Sequence, residues 1–167
     1  MIVRPSHIAF APVVLGLLLC GCTAFADGAK EGRRGTELLL SGELEAAVSQ
    51  FQRGLDQTEA QTGKVRQKLW HNLGLTFFAQ EQFGSAADAF AQATTLADVQ
   101  QDRAASAFNA GTAYAYASKA QEALAFLRQA LILDPDYEEA RYNYELIKRQ
   151  IPDSQAQSHG TPPEPSA

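Results

Sequence analysis

Few side chains in this sequence are suited to covalent or metal chemistry, and those few do not converge. The histidines His7, His71 and His159 lie far apart, His71 has no His or Cys at ligand spacing, and no Glu-x-x-His pair occurs. The only cysteines, Cys20 and Cys22, sit close to the N-terminus. No Walker loop, dinucleotide fingerprint or nucleophile elbow is present. No catalytic residue, metal ligand or cofactor is therefore assigned, and the chain reads as non-enzymatic. What recurs is a neutral amide. Asn72, Asn109 and Asn143 share one register, two residues before Gly74, Gly111 and Glu145. Asn is a poor helix-interior residue because its side chain competes for backbone hydrogen bonds, so the recurrence needs a reason. One reason is a hydrogen bond between neighbouring repeats; the other is a ligand. Lys68 and Arg141, with Arg66 and Arg103, add positive charge near the same register.

The elements that carry these amides repeat. From Gly111, Tyr114 follows at three residues, Ala123 at twelve, Leu127 at sixteen, Ala130 at nineteen and Pro135 at twenty-four. Gly74 is followed by Phe77, Ala86, Phe90 and Ala93 at those offsets, and Gly35 by Leu38, Ala47, Phe51 and Gly54. Five matched positions in three copies define a helical repeat array. Small residues let paired helices approach to about 8 Å. Gly35, Gly74 and Gly111 would meet Ala47, Ala86 and Ala123 where helix A crosses helix B. Phe51, Phe90 and Leu127 fill the space beside those contacts, as close-packed interiors require.

This spacing resembles the tetratricopeptide repeat (TPR) family over about Gly28 to Ile151, most fully in Trp70, Leu73-Gly74, Phe77, Ala86, Phe90 and Ala93. The third copy has Ala107 and Ala110 in place of Trp and Leu, and the first has Glu31 and Arg34, as befits a terminal repeat. The resemblance implies an all-α fold, a right-handed superhelix of antiparallel helix pairs. Its repeats span about 28–61, 67–98 and 104–135, with a cap helix over 136–151. It also implies that Asn72, Asn109 and Asn143, with Lys68 and Arg141, line a concave surface that binds a protein or peptide partner. The Lys-and-Asn carboxylate clamp of chaperone-binding TPR proteins is not matched, because His71 and Phe108 stand where such clamps use a basic residue.

Composition agrees with a single domain that does not bind nucleic acid. The chain has 167 residues and a formal net charge of -5, with no basic run for phosphate contacts. Residues 1–22 read as an export signal: Arg4, then an apolar run from Ile8 to Leu19 that is shorter than the ~20 residues of a membrane span. Two cleavage signals compete. Leu18-Leu19-Cys20-Gly21-Cys22 resembles a bacterial lipobox with Cys22 as the lipidated residue, and Ala24-Phe25-Ala26 suits ordinary cleavage after residue 26. Neither product has two cysteines, so no internal disulfide forms. The expected location is the cell envelope, with the protein anchored as a lipoprotein facing the periplasm or released there as a soluble protein.

In chain order, helix A of repeat one covers Lys30 to Leu39 or Leu40, a Ser41-Gly42 turn follows, and helix B is Leu44 to Gln57. Repeat two has helices over Val65–Gln80 and Gly84–Leu96. The Gly-to-Gly intervals of 39 and 37 exceed the usual repeat of about 34, which places insertions between repeats. Asp134 reads as the N-cap and Pro135 as the first residue of the cap helix, which Pro152 ends. Residues 152–167 are rich in Pro, Ser, Gln and Glu and read as a disordered tail.

A narrower resemblance lies in FNAGTAYA and in the DPD turn followed by Ala140-Arg141-Tyr142-Asn143-Tyr144-Glu145-Leu146. It is similar to the exported TPR proteins of Bacteroides-aerotolerance (Bat) clusters, which accompany von Willebrand factor A-domain membrane proteins and a MoxR-type ATPase. That resemblance implies a scaffold in a cell-envelope complex. The alternative is a TPR lipoprotein that assists assembly of outer-membrane, secretin or pilus components. Oligomeric state and membrane leaflet are open at this level.

Overall fold

The glycine, aromatic and alanine spacings become contacts between antiparallel helices. The computed structural model describes residues 28–58 and 63–150. Among these, α1 covers 28–41, α2 Leu44–Gln57, α3 Lys64–Ala79 and α4 Phe83–Leu96. They are followed by α5 Gln100–Tyr116, α6 Ala120–Leu133 and α7 Glu138–Gln150. Each helix packs on the next, giving an all-α array of three antiparallel hairpins and a terminal helix. The export leader with Cys22 and both cleavage signals, the end of repeat one at 59–61, Ile151 and the tail 152–167 lie outside the described residues.

Three glycines set the closeness of each hairpin. A Cβ added at Gly35 would meet the Phe51 ring at 2.6–2.9 Å, and one at Gly74 the Phe90 ring at 2.7–3.0 Å. At Gly111 it would meet Leu127 Cγ at 2.7 Å and the Ala123 carbonyl at 3.0 Å. Ala47, Ala86 and Ala123 at the crossings are fully buried, as are Phe51 and Leu127. Burying a side chain of that size contributes about 2–3 kcal/mol. The core runs along the array in three clusters. The first holds Phe51, Leu55, Leu69 and Leu73, the second Phe90, Ala110 and Ala113, and the third Leu127, Ala130, Ala140 and Ile147. Phe77 joins the first to the second; Tyr114 and Phe126 join the second to the third.

The hairpin turns repeat as closely as the core. Gly42, Glu81 and Ser118 adopt positive φ of 81°, 59° and 60°, each seven residues after the hairpin glycine. The next residues, Glu43, Gln82 and Lys119, donate their amides to the carbonyls of Leu38, Phe77 and Tyr114 at 2.9 Å. This is one Schellman closure used three times. The glycine expected at the first turn is there, and the other two turns hold the same backbone with Glu and Ser.

The insertions between repeats lengthen helices. α3 has 16 residues and α5 has 17, against 14 in α2, α4 and α6. The added turn carries Arg66 and Arg103, whose guanidinium groups donate to the Leu55 and Ala97 carbonyls at the ends of the preceding helices. The cap helix departs from expectation at its start. Pro135 and Asp136 form a turn, with the Asp136 amide bonded to Asp134 Oδ1 at 3.1 Å, and α7 begins only at Glu138. Asp134 thus closes the turn locally and is not the helix N-cap. Pro135 is exposed in that turn and outside the packed seam.

Candidate functional site

The odd helices α1, α3, α5 and α7 present one register to a shared face. Measured from the hairpin glycine, or from Glu145 in α7, the positions are -6, -2, +1 and +5, one stripe of a helix of 3.6 residues per turn. On α1 they are Ala29, Arg33, Thr36 and Leu40, and on α3 Lys68, Asn72, Leu75 and Ala79. On α5 they are Ala105, Asn109, Thr112 and Tyr116, and on α7 Glu139, Asn143, Leu146 and Gln150. Side chains meet across this face at both ends. Asn72 Nδ2 donates to Thr36 Oγ1 at 3.1 Å, and Asn143 Nδ2 donates to Thr112 Oγ1 at 3.2 Å.

Those bonds obey one rule: Asn at -2 reaches Thr at +1 in the preceding repeat. The middle joint breaks it. Leu75 occupies the +1 position of α3, a leucine side chain cannot accept the bond, and Asn109 makes no side-chain hydrogen bond among the described residues. Leu75 is 40% exposed. Of the three amides, two hold repeats together and one has no side-chain partner among the described residues. His71 secures the middle joint instead: its Nδ1 lies 3.2 Å from Ser106 Oγ, and its ring meets Phe90 edge-on at 5.4 Å. Burial lowers the His71 pKa below the ordinary 6.5, against an opposing pull from Asp102.

The predicted basic residues divide in the same way. Arg66 and Arg103 cap helix ends, and the Arg141 guanidinium donates to the Pro135 carbonyl, so all three serve backbone carbonyls. Of the predicted basic residues, Lys68 alone lies on the stripe, and it is exposed. It borders a cleft of about 470 Å³ between α1 and α3, whose other lining includes Gly28, Gly32, Arg33, Thr36 and Asn72. At the far end, Thr112, Tyr116, Asn143, Leu146 and Gln150 line a cleft of about 270 Å³ between α5 and α7. Tyr116 is braced there by Phe83, stacked at 4.9 Å, and by Phe78, edge-on at 5.3 Å.

Sequence reading missed Arg33, Leu75, Tyr116 and Leu146. They share the amide register or lie within one helical turn of it, so extending the Asn stripe along each helix would have found them. Tyr114, by contrast, belongs to the packing: its hydroxyl donates to Asp88 at 3.0 Å, and burial, then that bond, pushes its pKa up to about 12. Among the described residues no group of three His, Cys, Asp or Glu is placed to hold a metal ion. No described helix is long and apolar enough to cross a membrane.

Comparison with known proteins places this geometry. Residues 67–99 match the model described as tetratricopeptide repeat. No curated protein sequence matches the chain. Among solved structures, the second TPR domain of human RPAP3, determined with an HSP70 peptide, is 22% identical with a TM-score of 0.65. The match covers 75% of this chain and 98% of that one. The C-terminal TPR-containing domain of a putative Plasmodium falciparum FK506-binding protein is 16% identical with a TM-score of 0.67, over 82% of this chain and 96% of the other. The N-terminal domain of stress-induced protein-1 from C. elegans is 15% identical with a TM-score of 0.63, over 76% and 96%. Residues 67–99 thus match a tetratricopeptide repeat directly, and the described chain has the fold of whole TPR domains.

Proposed function

We propose that this protein is a non-enzymatic TPR scaffold that binds an extended segment of a partner protein across the face of α1, α3, α5 and α7. The observation that carries the reading is the broken amide rule at the middle joint. Asn109 offers a free donor and acceptor beside the exposed Leu75, the pairing of polar and apolar contact that an extended peptide requires. The RPAP3 domain, similar in fold, was solved with a peptide bound. The leader and Cys22 support export and lipid anchoring at a bacterial cell envelope, where each buried CH₂ of an acyl chain adds about 0.8 kcal/mol. The DPD turn and the Asn143 segment favour a complex of the Bat type, with a von Willebrand A-domain membrane protein as partner.

The test is crosslinking and co-purification of the tagged protein at native level from membranes. A partner should be captured by the wild type and lost by Asn109→Ala with Leu75→Ala, a pair that leaves both inter-repeat Asn–Thr bonds in place. Circular dichroism verifies that the variant folds. A partner retained by this variant would place the binding surface elsewhere. In the same cells Cys22→Ser should abolish acyl incorporation and release the protein from membranes; unchanged membrane retention would contradict the lipid anchor.

A further inference from the structure

The shared face changes character along its length, and that gradient specifies the ligand. At the α1–α3 end, Arg33 and Lys68 are both exposed on the stripe, and neither has an ion pair among the described residues. Glu37, the acidic residue of that cleft, is engaged with Arg34 at 3.7 Å. In a chain of net charge -5, this is a local cationic end beside an open cleft. At the α5–α7 end the exposed apolar groups are Tyr116 (61%) and Leu146 (43%), with the Tyr116 ring held by Phe78 and Phe83. Leu75 and Asn109 lie between the two ends.

Resting on the groove reading above, we infer that the ligand is an extended partner segment with an acidic residue for Arg33 and Lys68 and a bulky apolar residue for the Tyr116–Leu146 cleft. The two anchors are about six residues apart. Packed helices lie about 8–10 Å apart, so clefts two helices apart are separated by roughly 20 Å. An extended chain advances about 3.3 Å per residue, which makes that distance about six residues. Asn109 then pairs with the backbone midway, where no side chain is specified. The chain's own residues beyond Ile151 do not supply this pair: they include Asp153 and Glu164 but no apolar residue other than Ala and Pro.

The test is selection of random 12-residue peptides, displayed on phage, against the immobilised full chain in detergent. Enriched peptides should share an acidic and a bulky apolar residue about six positions apart. A resynthesised peptide should bind roughly tenfold more weakly to Arg33→Ser/Lys68→Ser. Its own Glu→Gln change should cost the same factor and add nothing in the double variant, as expected of directly coupled groups. Tyr116→Ala should weaken binding without altering the acidic preference. Peptides that need Asn109 and Leu75 but show no paired anchors would overturn this inference and leave the groove. Peptides indifferent to every substitution on the face, or no enrichment at all, would count against the groove itself and this inference with it.

Discussion

Glu81 and Ser118 hold a left-handed backbone that suits glycine, and Gly42 shows the residue the turn prefers. A non-glycine residue there costs about 1 kcal/mol or more. Glu81→Gly and Ser118→Gly should each stabilise the domain by about 0.5–1 kcal/mol, and Gly42→Ala should destabilise it by about 1 kcal/mol, read as shifts in the urea midpoint. Equal midpoints for all three would remove the strain argument. The hairpin glycines behave oppositely. Gly74→Ala drives a methyl into the Phe90 ring, and Gly111→Ala drives one against the Ala123 carbonyl and Leu127 backbone amide, which cannot swing away as a ring can. Losses of about 1–3 kcal/mol are expected, larger at Gly111, whereas Gly84→Ala, with nothing within 4 Å, should not destabilise. The hairpin glycines were legible because a glycine with a large residue sixteen positions on recurs three times. The strained turns were not, because Glu and Ser carry no φ signal by type. Only their distance of seven residues from the glycine marks them.

At the scale of elements, length was less legible than pairing. Intervals of 39 and 37 residues reveal insertions but not their form. In the structure α3 and α5 are longer than the even helices, and Arg66 and Arg103 in their first turns donate to the Leu55 and Ala97 carbonyls. Sequence placed those arginines near a binding face because charge alone does not tell a capping residue from a ligand-facing one. The late start of α7 has a similar cause: Asp134 has two competing uses, helix N-cap and turn closure, and the Asp136 amide engages it in the second. The joint between α3 and α5 yields a pH prediction. The folded state holds His71 below its unfolded value of 6.5, so the unfolded chain binds more protons as acidity rises. Stability should be unaffected well above pH 6.5 and decline as pH falls through that value toward the lower folded pKa. Urea unfolding between pH 5 and 8 should show this decline in the wild type and less of it in His71→Gln. Identical profiles would mean that the joint does not disfavour the imidazolium.

Across the whole molecule, the array is stabilised mainly between neighbours, as repeat proteins are. The Asn–Thr bonds at the first and last joints hold α1 to α3 and α5 to α7, while the middle joint relies on His71, Ser106 and Phe90. This division explains why three identical residue types at one register do different work. The register was visible in the sequence; the partner across the joint, Thr36, Leu75 or Thr112, decides each amide's role and emerges only when the repeats are stacked. The two clefts likewise combine residues from separate repeats, so neither forms a contiguous motif. The central claim is that a partner lies along the odd-helix face. It is tested most directly by photo-crosslinking in cells, with a benzophenone side chain placed in turn at Leu75, at Tyr116 and at Arg128, an exposed residue of α6. The account predicts one common partner captured from Leu75 and Tyr116 and not from Arg128. Capture from Arg128 with none from the other two positions would contradict it.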